Sequence, residues 1–113
     1  GLTGLICEYN LITALPALPG KLESLMCSDN LLSTLPEIPE SVSIISCSKN
    51  KLQQLPALPE NLKHLACSQN ALTKIAKLPA NLETLYCGVN LIEELPALPS
   101  TLITLDVIYL PGL

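Results

Sequence analysis

The chain has no tryptophan, no phenylalanine and only three tyrosines. A core organised around a few large rings is therefore excluded, although 49% of the residues are hydrophobic. Leucine supplies most of that content, and each buried leucine contributes roughly 1.5–3 kcal/mol. Clustered lysine and arginine are also missing, and the formal net charge is −4. A surface that neutralises phosphates needs a basic patch, so nucleic acid is excluded as a partner. No apolar run is long enough to span a bilayer, and no signal-peptide pattern is visible. One histidine and no Cys-x-x-Cys pair leave little material for a metal or catalytic centre. We expect no metal, no cofactor and no enzymatic activity.

What the chain does have is a repeat. Cysteine stands at Cys7, Cys27, Cys47, Cys67 and Cys87, and asparagine follows three positions later each time, at Asn10, Asn30, Asn50, Asn70 and Asn90. The 20-residue spacing has no insertion or deletion. One unit reads Leu-x-x-Leu-x-Cys-x-x-Asn-x-Leu-x-x-Leu-Pro-x-Leu-Pro, which matches the leucine-rich-repeat pattern. Residues 1–113 are thus expected to form one leucine-rich-repeat domain, of five 20-residue repeats plus a partial closing repeat. Neither end carries an obvious polar cap. We therefore expect a piece of a longer protein, or self-association through uncapped ends.

Period-two alternation marks a short strand in each repeat: Leu65 inward, Ala66 outward, Cys67 inward. Stacked repeats place these strands in parallel, about 4.8 Å apart. Six are expected, near residues 4–7, 24–27, 44–47, 64–67, 84–87 and 104–107. Leu5, Leu25, Ile45, Leu65, Leu85 and Leu105 should form a buried ladder beside the cysteines. The asparagines, able to donate and accept, should satisfy backbone groups where the chain bends inward. Prolines at i and i+3 suit an extended, polyproline-like return limb with little or no helix. The fourth limb, Ile75-Ala76-Lys77-Leu78-Pro79, lacks one proline and should follow the same path less rigidly.

The cysteines occupy positions where a small hydrophobe would serve. Strand spacing fits disulfide geometry poorly, so reduced, buried thiols are expected. That suits a reducing compartment. His64 and Cys67 point to opposite strand faces and cannot form a dyad. Candidate function falls instead on the outward, concave face. Exposed aromatic and large apolar side chains are the common anchors of protein interfaces. Tyr86 is the leading candidate, with Met26, Ile44, His64, Ile6 and Asp106 on the same face.

The unit, and the segment Leu55-Pro56-Ala57-Leu58-Pro59-Glu60-Asn61-Leu62-Lys63-His64-Leu65 in particular, resembles the bacterial leucine-rich repeats of the IpaH and YopM type. The cysteine column departs from that family, where valine or alanine is common. The resemblance implies a solenoid that binds host proteins as part of an effector delivered into the host cytosol. It also implies an alternative: the substrate-recognition domain of a larger IpaH-type ubiquitin ligase. This sequence contains no ligase domain, so no catalytic residue carries over.

Overall fold

The computed structural model describes residues 1–110. Six three-residue strands run in chain order: β1 Gly4–Ile6, β2 Ser24–Met26, β3 Ile44–Ser46, β4 His64–Ala66, β5 Thr84–Tyr86 and β6 Thr104–Asp106. They form one parallel sheet in the order β1 to β6. Each strand pairs with the next at an offset of one repeat, so Leu5 lies beside Leu25, Leu25 beside Ile45, and so on to Leu105. The expected strands were one residue longer. The ladder does continue to the cysteines, since the Cys27 amide donates to the Ser46 carbonyl at 2.8 Å and the Cys67 amide to Tyr86 at 2.7 Å.

The return limbs are extended, and no described residue is helical. Two prolines in four of the five limbs, and one in the fourth, explain this, because each removes a donor and fixes φ. After the second proline a tight turn re-enters the strand: Leu22, Val42, Leu62, Leu82 and Leu102 each donate to the carbonyl of the proline three residues earlier. The fourth limb follows the same path despite Ala76, and Ile75 and Leu78 are buried there as Leu35 and Ile38 are in the second limb.

The core is a stack of aliphatic side chains and thiols. Leu25, Ile45, Leu65 and Leu85 are all at most 1% exposed. The expected ladder fails at its two ends: Leu5 is half-buried and Leu105 is 37% exposed. The cause is simple, since the outer flanks of β1 and β6 have no further strand beside them among the described residues. Leu110 takes the place of the repeat's asparagine and is buried. The rest of the closing segment, from Pro111 on, lies outside the described residues. Gly88 interrupts a column of serines for a steric reason, because a Cβ there would lie 2.5 Å from the Ile108 carbonyl oxygen.

The asparagine column does what its chemistry allows. Asn30, Asn50, Asn70 and Asn90 each accept at Oδ1 from a backbone amide of the preceding repeat. Their Nδ2 groups donate to the cysteine carbonyls of two successive repeats. The residue before each of these asparagines, before Asn10 and before Leu110 is left-handed, with φ between 54° and 59° at Tyr9, Asp29, Lys49, Gln69, Val89 and Tyr109. Such a conformation costs an L-residue roughly 1–2 kcal/mol, and β-branched Val89 is the least suited to it. The conformation is held by the ladder, for example by the Val89 amide donating to Ile108 at 2.7 Å.

Candidate protein-binding face

Outward side chains of the six strands cover one face of the sheet. Each strand presents its first and third residues there, so the face is a grid of two columns. Ile6 and Met26 are register partners in one column. Ile44 and His64 are register partners in the other. Met26 and Ile44 sit diagonally across β2 and β3, since Met26 pairs with Ser46 and Ile44 with Ser24. The register therefore brings Ile6, Met26, Ile44 and His64 into one oblique row. Tyr86 and Asp106 form a second group, as direct partners on β5 and β6. Ser46 and Ala66 separate Met26 from Tyr86, a gap of about 14 Å at the usual strand spacing.

Exposure varies within this set. Ile6 is 76% exposed, Tyr86 40% and Ile44 37%. Met26, His64 and Asp106 are half-buried. The polar side chains between them are already engaged. His64 Nδ1 lies 2.8 Å from Thr84 Oγ1, Ser28 and Ser46 share a hydroxyl contact at 2.8 Å, and Asp106 accepts from the Ile108 amide at 3.1 Å. Serines at the strand exits add a second ladder, with Ser48 N–H donating to Ser28 Oγ and Ser68 N–H to Ser48 Oγ, both at 3.1 Å. In the sequence, only the recurrence of serine at Ser28, Ser48 and Ser68 hints at this ladder. These hydroxyls tie successive repeats together along the rim of the face.

His64 faces Thr84, while Cys67 is fully buried on the opposite side of the strand. Among the described residues no cluster of three metal-ligating side chains occurs. No buried side-chain nitrogen or oxygen lacks a partner among them either. A sheet of this kind can offer shape and apolar contact.

The overall architecture is similar to that of YopM from Yersinia enterocolitica WA-314, with a TM-score of 0.88 and 39% identity over 88% of this chain. It is also similar to a Shigella effector leucine-rich-repeat domain, with a TM-score of 0.91 and 34% identity over 93% of the chain. The repeats are similar in sequence and fold to those of bacterial leucine-rich-repeat effectors. A further effector-family neighbour is the leucine-rich effector YopM from Yersinia pestis, with a TM-score of 0.88 and 34% identity over 91% of the chain. The chain spans 22%, 48% and 30% of these three proteins, respectively. No protein-family model matches it, and no curated protein sequence does. No described helix is long and apolar enough to cross a membrane.

All five cysteines are free, and only Cys7 is not fully buried. Burial pushes the Cys27 thiol up from an ordinary 9.0 to about 12, with Cys7 and Glu8 adding to the shift. Burial and then Asp106 raise Cys87 to about 11. Cys47 and Cys67 are raised further by the same burial and by neighbouring thiols. Because the thiolate is the reactive form, Cys47 and Cys67 should be labelled by a maleimide only on unfolding, after Cys7. Rapid labelling of either in the native protein contradicts the packing. The sign of the pH effect follows from linkage. Unfolded thiols lose protons near their ordinary value while folded ones keep them, so stability is full below pH 9 and declines as pH rises towards 11–12.

Proposed function

We propose that this repeat domain recognises a host protein through its strand face, as part of a bacterial effector acting in the host cytosol. The observation that carries the reading is the contrast on that face. The hydroxyls of Ser28, Ser46, Ser48 and Thr84 and the His64 imidazole are engaged within the sheet, while Ile6, Ile44 and Tyr86 stand exposed. Apolar anchors among settled polar groups are what a protein interface uses. A column of reduced thiols is at home in a reducing cytosol, which fits the localisation. The domain adds binding and no catalysis of its own in this reading. Residues 1–113 act as one unit, within a longer protein whose other parts deliver or use the bound partner. One such use is substrate selection by an attached ubiquitin-ligase domain.

The reading is tested by placing a photo-crosslinking residue at position 44, capturing the partner from host cytosol, and measuring its affinity for the unmodified protein by calorimetry. Tyr86→Ala should then weaken binding by more than about 1 kcal/mol, with the melting temperature nearly unchanged. The same affinity for both, with a normal fold, removes Tyr86 from the interface. If Ile44→Ala and Met26→Ala are equally silent, the strand face is not the binding surface.

A further inference from the structure

The return-limb side holds an irregularity in the middle of the array. Leu35 and Ile38 of the second limb are buried, and so are Ile75 and Leu78 of the fourth. Leu55 and Leu58 occupy the same positions in the third limb and are only half-buried. A missing neighbour cannot explain this, because repeats flank the third limb on both sides. Instead a groove of about 470 Å³ opens between the third and fourth limbs, lined by Leu55, Pro56 and Leu58 together with Lys74, Ala76 and Lys77.

Ala76 makes the groove distinctive. The other four limbs carry a proline at this place, at Pro16, Pro36, Pro56 and Pro96. Alanine removes a ring from the groove and adds an N–H. Among the described residues, no backbone–backbone hydrogen bond engages residues 53–58 or 73–78. The fourth limb is thus an extended segment whose backbone groups make no such bond, and a peptide can add to it by backbone pairing. Charge narrows the choice of peptide. Two of the six lysines in a chain of net charge −4 line this groove, against one carboxylate, that of Glu60. Lys74 has no ion pair among the described residues, and Lys77 meets Glu60 only at 4.0 Å with both side chains well exposed, a contact of little strength.

We propose that this groove is a second docking site, which takes a short extended segment of a partner protein with alternating apolar and acidic residues. Apolar side chains of the segment cover Leu55 and Leu58. A carbonyl of the segment accepts from the Ala76 amide, and its carboxylates meet Lys74 and Lys77. The site lies on the limb side of the solenoid and goes beyond the strand-face reading, which can fail without affecting it.

The test is a titration of isotope-labelled protein with a capped hexapeptide of alternating leucine and glutamate, followed by NMR. Saturable shifts are expected at the Ala76 and Lys77 amides and at the Leu55 and Leu58 methyls. A peptide with lysine in place of glutamate should bind at least roughly tenfold more weakly. Ala76→Pro restores the proline of the other limbs, so the fold should hold and the melting temperature should not fall. Binding should drop roughly tenfold, while Tyr86→Ala leaves it unchanged. A Lys74→Glu, Lys77→Glu double variant should lose binding as well, independently of the proline. No saturable shift at millimolar peptide overturns the proposal. So do shifts confined to the strand face, or equal binding by Ala76→Pro and the charge-reversed variant.

Discussion

Replacing Leu65 by alanine is expected to destabilise the protein by about 2–5 kcal/mol. Leu65 is 1% exposed and stands at the centre of the ladder, between Ile45 and Leu85. The deletion removes apolar surface and leaves a cavity that two neighbouring strands must close together. They are poorly placed to do so, because each is tied by backbone hydrogen bonds to a further repeat. In a stacked array, stability is roughly the sum of each repeat's own contribution and its contacts with its neighbours. A central defect weakens two such contacts at once. The same change at Leu105, 37% exposed on the last strand, should cost much less. Guanidinium denaturation of both variants, with slopes compared to detect loss of cooperativity, checks the contrast. A loss below about 1 kcal/mol at Leu65 is incompatible with a packed central ladder.

The regular part of this molecule was legible because a strict period is a strong signal. Cysteine and asparagine recurring in phase located every strand to within one residue, assigned the inward ladder, and gave the asparagines their backbone-bonding role. Period-two alternation also named the outward residues. It could not say which of them adjoin, since that depends on register; the row from Ile6 to His64 and the gap before Tyr86 emerge only from the pairing. The left-handed positions were hidden for another reason. Tyr9, Lys49, Gln69 and Val89 are not residues that choose positive φ, so the turn is imposed by the ladder and by the asparagine that follows. The groove was hidden as well. The consensus treats every limb leucine alike, whereas the exposure of Leu55 and Leu58 depends on what the adjacent limb lays over them. Ala76 was visible in the sequence as a departure, but its effect on its neighbours was not.

Asn50→Ala should cost about 3 kcal/mol or more, a loss close to that of a core leucine. Asn50 is buried at 9% exposure. Its Oδ1 accepts from the Leu32 amide at 3.0 Å, and Nδ2 shares its hydrogens among the carbonyls of Cys27 and Cys47, both at 3.1 Å, and Ser48 at 3.2 Å. One side chain thereby joins two repeats at the point where the strand turns inward. Alanine leaves the Leu32 amide and the cysteine carbonyls without that partner, and each unmade buried hydrogen bond costs about 1–3 kcal/mol. Asn10 is the internal control, because it is exposed and its side chain bonds only within its own repeat. Asn50→Asp sharpens the argument. It keeps the shape and the acceptor for Leu32 but turns a carboxylate towards carbonyl oxygens. The folded state should therefore hold that carboxyl protonated more readily than the unfolded chain does. Its folded pKa is raised, so the penalty is greatest at neutral pH. It shrinks as pH falls towards the ordinary aspartate value near ~3.9, where an O–H donor replaces part of what the amide supplied. Melting curves of wild type, Asn10→Ala, Asn50→Ala and Asn50→Asp at pH 4 and pH 7 separate these effects. A deficit in Asn50→Asp that does not depend on pH, or equal losses at Asn10 and Asn50, would show that the column is ornamental and that the strands alone hold the stack.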